Sequence, residues 1–368
     1  MRKTALPAQK HLPEAILLTV SLTIAIVLLL VMVSLTIAMT IGFWQLQKFS
    51  RVADTTPIAL FGNLTAGLST TIEQSDNRVN ILLLGTDYLD TRGDEAILTD
   101  TIMILSFNTH TGELHALSIP RDLKMGTTTE KINFQYQAGR DQELPRPELY
   151  AESKISDVLK VPIHHTLVIS LQQVSELVDL IGGVEVNVAE GFIDYSFPRP
   201  DVDVRVERDP AKLYQTVEFA AGKQTLNGER ALQYIRSRHA DGIQGTDNQR
   251  TVRQQAVISA LLNNVQQRVR SGDIAMIARL YGYYDENFES YLPVSEIIAL
   301  GKEVLPIKDQ LNDLSLQGQV LSIYPEDPNG VLFHPESDDL SVPWFYYMRD
   351  EAAFLNEVRS KLQLPIPD

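Results

Sequence analysis

The longest apolar run in the chain extends from Ala15 to Trp44 without one charged residue. The other runs are far shorter. Val79-Asn-Ile-Leu-Leu-Leu-Gly85 is continuous and closed by glycine, the pattern of a strand buried on both faces. Thr101-Ile-Met-Ile-Leu-Ser-Phe-Asn108 and Glu113-Leu-His-Ala-Leu-Ser-Ile-Pro120 repeat it, with Thr109-His-Thr-Gly112 as the turn between them. Leu167-Val-Ile-Ser-Leu171 reads as another strand, followed by a helix through Leu180 that Gly182-Gly183 terminates. Val184-Glu-Val-Asn-Val188 alternates as a strand does. The spacing predicts helices over Asn227–Ile235 and Thr251–Val269. Strands interleaved with helices imply an α/β fold, a three-layer sandwich with a central mixed β-sheet flanked by helices. Residues 45–77 keep no sustained period and are expected to be a tether.

As a helix, residues 15–44 would extend about 45 Å, more than the roughly 30 Å hydrocarbon core of a bilayer requires. A cleaved signal peptide needs an apolar region of only about 7–15 residues, so this run is expected to be a retained transmembrane helix. Arg2, Lys3 and Lys10 precede it, which keeps residues 1–14 cytoplasmic and directs the body outward, with Trp44 at the far interface. Cysteine is absent, which excludes disulfides and Cys-based zinc sites. The net charge is −15, and Asp273–Asp368 alone holds 17 Asp and Glu against 6 Lys and Arg, a local −11. Residues 271–368 are therefore expected to be an acidic extension behind a domain at 78–270. Such acidity excludes nucleic acid as a partner, because a phosphate backbone needs a basic footprint.

One short stretch runs against this acidity. Between Glu229 and Gln255, Arg230, Arg236, Arg238, Arg250 and Arg253 face only Glu229, Asp241 and Asp247. The arginine fork matches phosphate oxygens bidentately, so an anion held at one point accounts for the cluster. The alternative is a solvated helix face with surface ion pairs. Three loops at strand ends add candidate chemistry: Gly85-Thr-Asp87, Asp100 as the next strand begins, and Ser118-Ile-Pro-Arg121-Asp122. Open α/β sheets bind ligands at such edges, and two carboxylates suit Mg2+, which takes one or two Asp plus phosphate oxygens. Asp90, Asp94 and Glu95 crowd the same loop as solvating charge. His164-His165 lacks a third spaced ligand and reads as the lead-in to a strand rather than a metal site.

In order along the chain stand Asn80-Ile-Leu-Leu-Leu-Gly-Thr-Asp87, Thr99-Asp-Thr-Ile-Met103, Leu117-Ser-Ile-Pro-Arg-Asp122, Lys131-Ile-Asn133 and Leu180-Ile-Gly-Gly-Val-Glu-Val186. Ala221-Gly-Lys-Gln-Thr-Leu-Asn-Gly228, Ala231-Leu-Gln-Tyr-Ile-Arg-Ser-Arg238 and Arg250-Thr-Val-Arg-Gln-Gln255 follow. This ordered set, over residues 78–270, resembles the LytR–CpsA–Psr family of envelope enzymes. The resemblance implies an anchored, extracytoplasmic phosphotransferase that takes a glycopolymer from a polyprenyl pyrophosphate carrier. It joins the polymer by a phosphodiester to peptidoglycan or another envelope acceptor, with pyrophosphate hydrolysis as a side reaction. It implies that Asp87 and Asp100 hold Mg2+ and, with Arg121, form the catalytic centre. Arg236, Arg238, Arg250, Arg253 and Gln254 would then bind the pyrophosphate. The family's lipid tail lies in an apolar tunnel, which Val257, Ala260, Leu261 and Val265 either line or merely back as ordinary core.

The physics of a pyrophosphate diester agrees with that assignment. Cations aimed at its oxygens stabilise the charge that develops as it is cleaved. Arg250 and Gln254 are four apart on one helix face, near an N-terminus that Thr246 or Asp247 would cap and whose dipole favours anions. Arg236 and Arg238 share a side if the chain between them is extended. Arg253 either pairs with Asp247 or touches substrate. Where the family often has Asp-Phe-Gly-Arg, this chain has Asp247-Asn-Gln-Arg250, so Gln249 replaces the glycine. Phe197–Arg208 reads as an inserted loop near the site, and Trp344-Phe-Tyr-Tyr-Met348 either closes the core or contacts glycan. A second function class stays open, a non-catalytic envelope-binding or regulatory module, once described as a transcriptional attenuator. Binding alone would not need the carboxylate pair.

Overall fold

The computed structural model describes residues 31–34, 36, 39–86, 96–126, 130–199, 202, 206–335 and 344–365. About two-thirds of the 15–44 run lies outside these residues, as do Asp87, Asp90, Asp94 and Glu95 and part of the 197–208 loop. Among the described residues no helix is both long and apolar enough to cross a membrane.

The short apolar runs become β1 (Arg78–Thr86), β2 (Thr99–Asn108), β3 (Leu114–Ser118) and β4 (His165–Ser170). They join a five-stranded mixed sheet in the order β4-β1-β2-β3-β9, where β9 is Leu316–Val320. The β1–β2 and β2–β3 pairs are antiparallel; β1–β4 and β3–β9 are parallel. Around the sheet lie α1 (Pro57–Ser69), α2 (Pro147–Leu159), α3 (Leu171–Leu180), α4 (Gly228–Arg236) and α5 (Asp247–Arg270). Beyond them follow α6 (Ile274–Phe288), α7 (Val294–Val304) and α8 (Glu351–Lys361).

Side chains alternate across a strand, and that period divides the sheet's two faces. Leu82, Leu84, Ile104 and Val168 enter one core with Ile155 of α2 and Phe354 of α8. Their neighbours Leu83, Gly85, Thr101 and Ile169 face the opposite side, where α3, α4 and α5 stand off the sheet around a cavity. Val184–Val188 is a strand (β5), but it belongs to the second core rather than to the main sheet. It pairs with β8 (Gly222–Leu226), while β6 (Phe192–Pro198) pairs with β7 (Tyr214–Phe219). Val186, Phe192, Phe219 and Tyr234 are buried together there.

Two of the expected boundaries are corrected. Residues 45–77 are not a loose tether: a helix continues to residue 52 and α1 follows it. Asn63 Nδ2 donates to Tyr281 Oη of α6 at 2.8 Å, and Lys302 Nζ of α7 donates to the carbonyls of Leu68 and Thr70. The helix packs through its small residues: a Cβ on Gly67 would sit 2.5 Å from Ile298 Cβ. Its large apolar residues Ile58, Phe61, Leu64 and Leu68 face outward instead, so the usual apolar signal of a packed face is inverted. Residues 271–368 are likewise not an appendage. They supply the edge strand β9 and the buried helix α8, so a division at 270 would cut through the sheet.

His164 and His165 lead into β4 as expected. His164 Nδ1 accepts from the backbone N–H of Asn80 at 2.9 Å, and His165 Nε2 lies 3.4 Å from Glu296. Helix α5 starts one turn earlier than its apolar spacing predicts, with Thr246 Oγ1 accepting from Gln249 N as the N-cap.

Candidate active site

A cavity of about 240 Å³ opens between the sheet and α3, α4 and α5. Its two ends differ in chemistry. Leu83, Ile169, Val174, Ile235 and Leu261 line one end, and Asp100, Arg236, Arg238, Arg250 and Gln254 the other. A single face of α5 crosses both: Arg250 and Gln254 come first, then Val257, Ile258 and Leu261 at helical spacing. Of the four residues expected to line a tunnel or back it as core, Val257 and Leu261 line the cavity and also belong to the second core, Ala260 packs against that core, and Val265 is not on the cavity wall. Gly85 lies on the wall, and a Cβ there would come within 2.8 Å of Thr101 Cβ.

The cationic end is assembled from four segments. Arg236 is the last residue of α4, with its guanidinium 5.6 Å from the Phe197 ring centre. Ser237 turns the chain out of the helix, so Arg236 and Arg238 reach the same cavity across a helix end and not along an extended strand. The turn is held by Asp194, a fully buried carboxylate that accepts from the N–H groups of Arg238 and His239. Nothing in the sequence around Asp194 marks it for this task. Arg238 is two-fifths exposed, and its Nη2 lies 3.9 Å from Asp247.

Arg250 is 6% exposed. Its Nη2 lies 3.3 Å from Asp247, and among the described residues its buried Nε finds no hydrogen-bond partner. Burial pushes its pKa down; Asp247 opposes this, while Arg121 and Arg238 add to it. A desolvated guanidinium beside two further cations is costly to bury unless an anion offsets the charge, which makes Arg250 a candidate anion contact.

Arg253 is placed differently. Its Nε donates to the Tyr234 carbonyl at 2.8 Å and its Nη1 to the Gln244 carbonyl at 2.9 Å, while Nη2 donates to the Ser237 carbonyl. It is 2% exposed, does not line the cavity, and has its pKa pushed down by burial to about 10. The structure thus brings Arg236, Arg238, Arg250 and Gln254 together around one space and sets Arg253 behind them.

A smaller cleft of about 40 Å³ adjoins the cationic end and shares Asp100, Thr101, Arg250 and Gln254 with it. Arg121 lines this cleft, with Nη1 2.8 Å from Asp100 Oδ1 and Nε 3.3 Å from Asp122. Burial would lower the Arg121 pKa, but the charge and hydrogen bond of Asp100 outweigh it and raise the pKa. Lys131 of the Lys-Ile-Asn segment backs Asp122 at 2.5 Å, and Asn133 N donates to the Arg121 carbonyl. Gln255, on the other flank of α5, donates to Ser118 Oγ and the Gln319 carbonyl, tying α5 to β3 and β9. Gly318 leaves room for it: a Cβ there would be 2.3 Å from Gln255 Oε1.

For Mg2+, the cavity wall offers Asp100, a quarter exposed. Among the described residues no three His, Asp or Glu side chains form a metal cage. Mg2+ needs none where it takes one or two carboxylates, water and phosphate oxygens. Asp100 fits that chemistry. Asp87, the other expected ligand, lies outside the described residues, although Thr86 beside it lines the cavity.

Residues 51–341 match the LytR_cpsA_psr family over most of the chain. The chain belongs to the LytR_cpsA_psr family. Among its relatives, the polyisoprenyl-teichoic acid–peptidoglycan teichoic acid transferase TagU of Oceanobacillus iheyensis is 26% identical over 287 residues, 77% of this chain and 75% of that protein. The corresponding transferase TagV of Bacillus subtilis is 25% identical over 331 residues, 88% of this chain and 74% of that protein. The crystal structure of B. subtilis TagV has the same fold, with a TM-score of 0.52 at 19% identity, covering 80% of this chain and all (100%) of that one. The family match extends well past residue 270, in keeping with β9 as part of the LytR_cpsA_psr sheet.

Proposed function

We propose that this chain transfers a glycopolymer from a polyprenyl pyrophosphate carrier to peptidoglycan or another envelope acceptor, forming a phosphodiester. The observation that carries this reading is the bipartite cavity, apolar at one end and lined by arginines at the other. Such a cavity suits an amphiphile with an isoprenoid tail and a pyrophosphate head. TagU and TagV, named as polyisoprenyl-teichoic acid–peptidoglycan transferases, support the same substrate class.

In this reading the tail lies along Leu83, Ile169, Val174 and Leu261. Arg236, Arg238, Arg250 and Gln254 bind the pyrophosphate oxygens, and Arg253 braces the turn that carries Arg238. Asp100, with Asp87, would hold Mg2+, which supplies Lewis-acid stabilisation of phosphate charge when bound. Arg121, held by Asp100 and Asp122 in the adjoining cleft, stabilises the charge that builds on the phosphate oxygens during transfer. An acceptor hydroxyl attacks the glycan-bearing phosphorus, the bridging P–O bond breaks, polyprenyl phosphate leaves, and the hydroxyl proton passes to water. The uncharged 15–44 run and the outward apolar stripe of α1 support a membrane-anchored body facing away from the cytoplasm.

The test uses the full chain in detergent with a polyprenyl pyrophosphate-linked glycan and follows release of polyprenyl phosphate. Asp100→Ala and chelation should each abolish release while the thermal midpoint is retained. Tight carrier binding without release in the wild type would instead support the regulatory-module reading, and undiminished release with chelator would remove the metal.

A further inference from the structure

The small cleft beside Asp100 is lined partly by Tyr346, from a segment that plays no part in the scheme above, Trp344-Phe345-Tyr346. These three aromatics alternate. Phe345 is buried beneath the Lys131 ammonium, whereas Trp344 is 51% exposed and Tyr346 faces the cleft. The Trp344 and Tyr346 rings stand edge to face, 6.2 Å apart. Their position is fixed by the backbone: Tyr346 N donates to the Asp122 carbonyl at 2.9 Å, and Lys124 N donates to the Tyr346 carbonyl at 3.0 Å. A half-exposed tryptophan beside a tyrosine is thus tied to the strand end that carries Arg121.

With Tyr346, the cleft is lined by Asp100, Asp122, Asp247, Asn248 and Arg121. Burial, then the nearby Asp247, Glu326 and Asp122 charges, push the Tyr346 pKa up to about 12, so its phenol stays neutral and able to donate. The Tyr346 ring beside carboxylates, an amide and a guanidinium, continued by the half-exposed Trp344 that stacks on His334, forms the surroundings that a sugar ring needs. Its C–H face packs on the rings, and its hydroxyls find both donors and acceptors.

We propose that this cleft, continued outward by Trp344, binds a pyranose residue of the acceptor glycan. The proposal rests on the transferase reading and specifies where its second substrate enters. In phosphoryl transfer the attacking and leaving oxygens lie roughly in line. The apolar lining holds the tail of the leaving polyprenyl phosphate, and the cleft adjoins the cavity at Asp100, Arg250 and Gln254. On this proposal a hydroxyl arriving through the cleft reaches the phosphorus from the side away from the tail.

The experiment titrates the full chain in detergent with a soluble, peptide-free tetrasaccharide of β-1,4-linked N-acetylhexosamines, reading tryptophan fluorescence. Only Trp44 and Trp344 contribute to the signal. The expected result is a saturable change that Trp344→Phe removes, together with a roughly tenfold higher acceptor KM in Trp344→Ala and Tyr346→Phe, about the loss of one hydrogen bond or ring contact. The Kd of these variants for polyprenyl phosphate should remain that of the wild type. A change elicited by the lipid-linked donor glycan but not by the free tetrasaccharide would assign the platform to the donor and overturn the proposal. No change with either ligand, or an unaltered acceptor KM, would overturn it as well. If the tetrasaccharide binds but the wild type never cleaves the carrier, the saccharide site stands and the transferase reading falls.

Discussion

Arg250 and Arg253 lie three residues apart on α5, both buried and both with pKa values pushed down by burial, yet they face different regions. On one flank Arg253 spends its guanidinium on three backbone carbonyls at the end of α4 and in the loop that follows. On the other flank Arg250 lines the cavity, with a buried Nε that finds no partner among the described residues. One arginine has exchanged its water for the protein's own carbonyls; the other is buried at the cavity wall with part of its donor set unused among the described residues. Burial and pKa alone do not separate these roles. The partners of each donor do.

The sharpest way to break the comparison is Arg253→Ala. It leaves the Tyr234, Ser237 and Gln244 carbonyls without their cation and should cost at least about 3 kcal/mol of stability, seen as a lower urea midpoint. If Arg253→Ala melted like the wild type, the bracing role would fail. Arg250→Ala should do the reverse, weakening polyprenyl phosphate binding and turnover by roughly ten- to 150-fold with no loss in thermal midpoint. A stability loss equal to that of Arg253→Ala would make both residues structural. Arg121→Lys, which keeps the charge but loses the fork, should slow transfer more than it weakens carrier binding; equal losses would reduce Arg121 to a binding residue. The smallest effect is expected from Asp247→Asn, which removes the carboxylate nearest Arg250 and Arg238. The pair is partly exposed, so carrier affinity should rise by no more than about fivefold and the gain should fade with salt. A weakened affinity would mean that Asp247 positions Arg250 rather than competing for it.

Much of this architecture is legible in the sequence, and the gaps have physical causes. β1 to β4 are readable because strands buried on both faces must be continuously apolar. β9 was not, since Leu316-Gln-Gly-Gln-Val320 is half polar and its glycine serves Gln255, a contact sixty residues away in sequence. α1 escaped because its packed face is made of small residues. Arg236, Arg238, Arg250 and Gln254 were recognisable as a group by their charge against an acidic chain. Arg253 was not separable from them, because the carbonyls it serves carry no sequence signature. Asp194 and Tyr346 share that difficulty: each acts through backbone groups of segments far away along the chain.

The parallel pairing of β3 with β9 also sets a timetable for synthesis. β3 ends at Ser118, but its outer neighbour begins only at Leu316. Until the ribosome has released residue 320, β3 is an unpaired edge and Gln255 lacks its carbonyl acceptor on Gln319. The loop between the two strands is long, and such distant pairings form late and slowly. The growing chain therefore displays its arginine cluster before it owns a complete sheet to hold it. A nascent chain halted at residue 315 should be cut readily by protease near β3, while one extended past residue 365 resists.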